Sequence, residues 1–384
     1  MKILQLTRTL DRSSGGVLQA MLSFSDALTQ AGHDVEIVSL DLPNSPWLDE
    51  AGIKSHALGV NRSTYGYSGR LLPWLRDEGG RFDCVIVNGI WQYHSFAAWR
   101  RYAGSRIPYY VLPQGMLDPW FKRAYPLKHL KKWLYWPWAE YRVLRDARGV
   151  IFTAEEERLN ARKSFWLYRC RERIAPLGVE APEIDLASAR EDFFHSFPQL
   201  RGQRLLLFLG RLHEKKGCEL LIKAYASMQQ SSGSALHLVM AGPPANETYM
   251  RLLQELATKA DGAVTFTGML AGAQKWGAFS AAEVFILPSH QENFGIAVAE
   301  ALACGTPVLI ANKVNIWREI EGAGAAYVEN DDLAGTKRLL ERWNATSPEA
   351  RLAMRENARK CFETNFEIGH ATKLLLKALD IRSD

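Results

Sequence analysis

Short apolar runs, each followed by a stretch with apolar residues at helical spacing, recur along this chain and then begin again past residue 200. That alternation is the signature of parallel sheets joined by crossover helices, and its restart predicts two such units. In the first half the strands are expected at Lys2–Thr7, Val35–Ser39, Cys84–Asn88, Tyr109–Leu112 and Gly149–Phe152. Val17, Met21, Phe24 and Leu28 lie at helical spacing after the first strand, and Gly32 is a natural helix stop. In the second half, strands are expected at Arg204–Leu209, Leu236–Ala241, Val264–Thr267, Val284–Leu287 and Pro307–Ile310. Helices are expected at Gly217–Gln230, Ile296–Cys304, Pro348–Glu363 and about Ile368–Ile381. The stretch Gly178–Gly202, with Pro182 and Pro198, reads as the linker. Ligands of doubly wound sheets bind at the carboxyl ends of the strands, so chemistry is sought there.

A chain of 384 residues suits two domains of ordinary size, and 47% hydrophobic with 23% charged residues is a globular composition. The five cysteines are scattered without zinc-like spacing, which fits a reducing, cytoplasmic setting. The apolar run Ile3–Leu6 is broken by Thr7, Arg8 and Asp11, so it makes no export signal, and no apolar stretch is long enough to span a bilayer. Charge is uneven: residues 1–180 carry 25 Lys/Arg against 18 Asp/Glu, and residues 181–384 carry 22 against 24. Nine of the twelve tryptophans also fall in the first 180 residues. The two halves therefore meet different partners.

Three motifs sit at expected strand ends. Gly15-Gly16 lies between the first strand and the first helix, where backbone N–H groups can approach a phosphate. It lacks the dinucleotide spacing and the Walker lysine, and a plain structural turn fits it equally. Arg211 and Lys216, in Gly210-Arg211-Leu212-His213-Glu214-Lys215-Lys216-Gly217, leave a strand and enter a helix, from which both can face one diphosphate. An isolated pair of this kind is more often a solvated basic loop. The third motif is the most specific: Glu292-Asn293-Phe294-Gly295-Ile296 opens an apolar helix that carries Glu300. Two acids eight residues apart stand about 80° apart around a helix and about 12 Å along it. Free N–H groups at the helix start can meet an anion between them. Glu300 on an apolar helix needs donors, either ribose hydroxyls or a neighbouring Lys or Arg.

With Ala241-Gly242-Pro243, Val264–Gly268 and Ala301–Val308 in order behind them, these motifs resemble the retaining GT-B glycosyltransferases of family 4, the glycosyl transferases group 1. The resemblance spans nearly the whole chain and is strongest over residues 204–328. It implies an α/β fold of two doubly wound Rossmann-like domains facing across a cleft that holds the donor. Residues 1–180 would be the acceptor-side domain, with a helix at about 365–384 packing back onto it, and residues 181–364 the donor-binding domain. Arg211 and Lys216 would neutralise the donor diphosphate, and Gly15 and Gly16 would supply backbone N–H groups. Glu300 would take the ribose, and the backbone near Met269 would touch the base. Glu292, with the backbone of Asn293, Phe294, Gly295 and Ile296, would hold the transferred sugar and the distal phosphate. Glu292, Arg211 and Lys216 are thus the expected catalytic groups, with a UDP- or GDP-sugar as donor. No cofactor or metal is implied: Asp-x-Asp is absent and the nine histidines form no ligand cluster.

On the acceptor side, Gln114 precedes Gly115 where many relatives carry His or Arg, and Asn88 stands where a histidine is frequent. His94 lies nearby in sequence and reads equally as a packing histidine. Gln114 and His94 are the acceptor-side candidates, and no general base is assigned. Residues Trp120–Arg148 join Trp120, Trp133, Trp136 and Trp138 to eight Lys/Arg. This segment is either an interfacial element on anionic lipid or a packed helix with a basic outer face. The leading expectation is a retaining transferase that builds a polysaccharide, lipopolysaccharide or lipid-linked glycan, peripheral on the inner membrane face. An epimerase on the same fold and a basic nucleic-acid-binding protein are the alternatives; no nucleic-acid motif supports the last.

Overall fold

The computed structural model describes residues 1–11, 16–48, 52–60, 63–120, 122, 126–232, 236–260 and 263–381. They form two compact units, Met1–Gly178 with Ile368–Asp384, and Val179–Glu367. Gly15, and Arg123 among the eight Lys/Arg of the Trp120–Arg148 segment, lie outside the described residues.

The first unit is built on a seven-stranded sheet: β1 (Lys2–Thr7), β2 (Asp34–Ser39), β3 (Ser55–Ala57), β4 (Cys84–Asn88), β5 (Tyr109–Leu112), β6 (Gly149–Phe152) and β7 (Glu172–Ile174). Its order is β3-β2-β1-β4-β5-β6-β7, and every pairing is parallel. Strands covered on both faces must be apolar throughout, and β4, β5 and β6 are buried at every position. The three-residue edge strands β3 and β7 lack that pattern, being half-exposed and polar, so nothing in the sequence announces them. Helix Gly16–Gln30 follows β1, and Gly32 with φ 85° follows its end.

The second unit carries six parallel strands: β8 (Arg204–Leu209), β9 (Leu236–Ala241), β10 (Val264–Gly268), β11 (Val284–Leu287), β12 (Val308–Ala311) and β13 (Ala326–Glu329). Their order is β10-β9-β8-β11-β12-β13. The expected linker is corrected here. Residues 186–196 form a helix, with Asp185 accepting from the backbone N–H groups of Ala187 and Ser188 at 3.2 and 3.1 Å. It buries Ala189, Phe193 and Phe194 and packs on helix Gly272–Ala281, where a Cβ on Gly277 would collide with Ala189 O. Only three of its positions are buried, and flanking charges and prolines made that helix read as linker.

Helix Ile368–Ala378 packs against helix Gly16–Gln30 within the first unit. The residues after it are fastened there: Tyr110 Oη donates to Leu379 O at 2.6 Å, and Arg173 grips Asp380 with a two-point ion pair of 2.7 and 2.9 Å. Each sheet reverses its winding once, between β1 and β4 and between β8 and β11. Loops leaving those adjacent strand pairs diverge, and each divergence opens a crevice.

Candidate functional site

At the β8/β11 reversal, glycines let three strand ends lie side by side. Gly210 N donates to Ala241 O at 2.9 Å and Gly242 N to Gly268 O at 2.7 Å; a Cβ on Gly242 would collide with Gly210 O. The loop after β8 then makes a short turn, Glu214–Lys216, capped by His213, whose Nδ1 accepts from Lys215 N at 3.0 Å. Gly217, at φ 69°, closes the turn against Pro288, and a Cβ there would strike Pro288 O. His290 N donates to Lys215 O at 2.9 Å, stitching this turn to the segment that follows β11.

That stitch brings Lys216 Nζ into an ion pair with Glu292. Glu292 is itself anchored, with its N–H on Lys313 O at 2.9 Å and its carbonyl receiving Asn315 N at 3.1 Å. Gly295, at φ 82°, starts helix Ile296–Ala303, whose first turn no side chain caps. Phe294 is buried edge-on against Phe366 and fixes the entry. Arg211 is exposed at the same strand end, and among the described residues nothing pairs with it. The result is a pair of cationic side chains beside an uncapped helix start, an arrangement suited to a diphosphate.

Glu300 faces Lys275, whose Nζ lies 2.6 Å from Oε1. Burial pushes the carboxyl upward, and the ammonium opposes that shift. Lys275 is thus one donor to this carboxylate. Met269 is exposed in the turn after β10, and Gly16 is exposed at the start of its helix in the other unit.

Sequence reasoning missed Lys275, which no motif marks. It also missed Ser289, fully buried at the end of β11 with an Oγ that meets no partner among the described residues. His290 is held by Asp331 Oδ2 at 2.9 Å, and this contact raises its pKa. The succession Pro288-Ser289-His290-Gln291 after an apolar strand was the available signal for Ser289 and His290.

In the first unit, buried amides run as a chain across the strand ends. Gln114 Nε2 donates to Asn88 Oδ1 at 3.2 Å, Asn88 Nδ2 to Gln5 Oε1 at 2.9 Å, and Gln5 Nε2 to Ser25 Oγ at 2.6 Å. Gln114 has φ 51° and its Oε1 is buried without a partner among the described residues. Trp91, at φ 72°, lies in the loop just after β4. Two non-glycine residues in this sparsely populated region on adjacent strand ends point to a functional constraint. Glu157 holds the Gln114 loop by accepting from Gly115 N at 2.6 Å and from Thr153 N and Oγ1 at 2.7 Å. His94 is buried, and its Nε2 must carry the proton because it sits 2.9 Å from Asn88 O, an acceptor. Burial lowers its pKa to about 4, so it is neutral at physiological pH.

Beside this chain a cavity of about 910 Å³ opens at the β1/β4 reversal, with Arg8, Asp41, Asn44 and Trp47 on its wall. A second of about 430 Å³, lined by Tyr65, Trp91 and Lys132, shares Thr64 and Gln92 with it. Among the described residues no three His, Cys, Asp or Glu side chains gather as metal ligands.

Two units, each a doubly wound parallel sheet with its loops at the winding reversal, are the architecture of a GT-B protein. Residues 189–361 match the model for glycosyl transferases group 1, and residues 15–178 match a glycosyl transferase 4-like domain. The chain belongs to the group 1 glycosyltransferase family. It is 29% identical over 214 residues to alpha-monoglucosyldiacylglycerol synthase of Streptococcus pneumoniae, covering 53% of this chain and 46% of that one. The matching stretch thus spans about half the length of such curated relatives. Two solved structures share the fold: HepE of Anabaena in complex with UDP (TM-score 0.80, 15% identity, 99% of this chain and 100% of that one) and sucrose-phosphate synthase of Thermosynechococcus elongatus (TM-score 0.77, 19% identity, 99% and 98%).

Proposed function

We propose that this chain is a retaining hexosyltransferase that moves a sugar from a UDP- or GDP-sugar onto a glycan or lipid-linked acceptor in surface-polysaccharide assembly. The observation that carries this is the junction of Arg211, the Lys216–Glu292 pair and the uncapped helix start at Ile296, all at the β8/β11 reversal. Arg211 and Lys216 take the charge of the diphosphate, and the helix N-terminus takes the phosphate nearest the sugar. Glu300 and Lys275 together offer an acceptor and a donor to the ribose hydroxyls. Glu292 holds hydroxyls of the transferred sugar, and the backbone at Met269 meets the base. The UDP in the HepE structure favours the same class of donor.

In the transfer, the bond from the anomeric carbon to the diphosphate oxygen breaks, and a bond from that carbon to the acceptor oxygen forms on the same face. The departing phosphate oxygen takes the acceptor's proton. No strong protein base is needed opposite it, which suits a glutamine at 114 that orients a hydroxyl with its Oε1, an acceptor without a partner among the described residues. The paired cavities at the β1/β4 reversal, with Trp47, Asp41, Asn44 and Arg8, suit a saccharide acceptor. No helix among the described residues is long and apolar enough to cross a membrane. Contact with anionic lipid on the cytoplasmic face, through the Trp120–Arg148 segment, completes the reading.

The test is incubation with a panel of UDP- and GDP-sugars, with hydrolysis and transfer followed and anomeric proton couplings of the product read by NMR. An α-linked donor should give an α-linked product. An inverted product overturns the mechanism, and a glycosyl adduct trapped on Glu292 replaces it with a covalent route.

A further inference from the structure

Helix Pro126–Tyr135 turns apolar residues to solvent. Leu127, Leu130 and Leu134, at i, i+3 and i+7, form one stripe and are 78%, 56% and 63% exposed; Trp138, in the turn that follows, is 71% exposed. The core beneath is already satisfied. Trp136 is fully buried, stacked on Phe165 with ring centroids 4.3 Å apart, and its Nε1 donates to Leu167 O at 2.6 Å. The stripe is therefore not the edge of an internal contact.

Alongside lies a cavity of about 830 Å³ between this helix and the residues after helix Glu155–Ala161. Lys122, Arg162 and Lys163 line it, with Trp133 and Trp166 at 6.1 Å between ring centroids, and among the described residues no carboxylate is on its wall. Arg162 is committed to Glu172 at 2.9 Å, whereas Lys122 and Lys163 are exposed and meet no acid among the described residues. His129, also on the wall, stacks on Phe165 at 5.0 Å. Burial and the neighbouring Lys122 and Lys132 lower its pKa, so at neutral pH it brings a donor without further charge.

Resting on the membrane contact in the function proposed above, we propose that this cavity is a headgroup pocket for the phosphate of an anionic bilayer lipid, with the Leu127–Leu130–Leu134–Trp138 stripe entering the same leaflet. The composition selects a bilayer over a protein partner. Protein interfaces are depleted in lysine, whereas exposed tryptophans flanked by lysines beside bare leucines are what a membrane–water boundary holds in place. The cations supply the preference for an anion and the leucines the depth.

The test uses the full chain in vesicle flotation, with phosphatidylcholine alone and mixed with phosphatidylglycerol. Wild type should bind the mixed vesicles and bind them more weakly as salt rises. Lys122→Glu/Lys163→Glu should lower that affinity by about thirty-fold or more. Lys360→Glu/Lys377→Glu, the same charge change at exposed lysines elsewhere, should cost much less. Leu127→Asp/Leu134→Asp should abolish binding to both vesicles. Equal losses in the two lysine pairs overturn the pocket and leave the membrane contact standing. Absence of wild-type binding to either vesicle removes the membrane contact and the pocket with it. If sedimentation then shows a dimer that Leu134→Asp dissociates, the stripe is a subunit interface instead. The transferase reading is tested separately, by activity on soluble donor and acceptor.

Discussion

Lys216 and Glu292, separated by 76 residues of sequence, are joined in an ion pair where the loops after β8 and β11 meet. The lysine therefore holds the acid in place, and in the proposed donor site a diphosphate would have to share that ammonium. Removing the lysine does two things at once: it deletes a cation and leaves a carboxylate facing an anion.

Arg211→Ala and Lys216→Ala should each weaken binding of the preferred nucleoside diphosphate by roughly 1.5–3 kcal/mol, with Lys216→Ala at the upper end because Glu292 is then uncompensated. Calorimetry with UDP and GDP measures this. Unchanged affinity in both variants removes the site, and a smaller loss for Lys216→Ala removes the argument about Glu292.

Glu300→Ala should weaken UDP or GDP binding by roughly 1–3 kcal/mol and leave inorganic pyrophosphate binding nearly unchanged, because only the nucleotide brings ribose hydroxyls. A parallel loss for pyrophosphate would make the Lys275–Glu300 pair a purely structural brace.

Transfer activity should survive exhaustive chelation, since in the proposed site Arg211, Lys216 and the helix start would supply positive potential to the leaving diphosphate. Complete loss with EDTA, restored by Mg2+ or Mn2+, would overturn that account.

Glu140 is fully buried, accepting from Trp91 N at 3.0 Å and Ser95 Oγ at 3.1 Å, and burial raises its pKa from 4.5 to about 7. The folded state thus binds this proton more tightly than the unfolded chain. Its contribution is full below pH 4.5 and is lost as pH rises through 7, a change of roughly 3 kcal/mol. Thermal melts across that range should show wild type losing stability relative to Glu140→Gln, which cannot ionise. Parallel curves would mean that Glu140 does not titrate there.

Much of the fold was legible because a strand buried on both faces must be an uninterrupted apolar run. Tyr109–Leu112, Gly149–Phe152 and Val284–Leu287 could hardly read otherwise. Strands at the rim, such as Ser55–Ala57 and Glu172–Ile174, carry no such demand and were invisible. The helix Leu186–Ser196 was hidden for a related reason: its narrow apolar face is set by one neighbour, helix Gly272–Ala281, and not by its own periodicity.

The sequence by itself determined the two doubly wound sheets and put Arg211, Lys216, Glu292 and Glu300 at or just beyond strand ends, because backbone hydrogen bonding and burial act on neighbours along the chain. Only the tertiary structure decided who meets whom. Glu300 lies against Lys275, Glu292 against Lys216, and Gln114 ends a line of amides reaching Ser25. Leu127, Leu130 and Leu134 face solvent although their spacing suits a core. Those outcomes depend on crossovers that bring distant segments to one strand end, and on whether Trp136 has already filled the space beneath, neither of which local periodicity records.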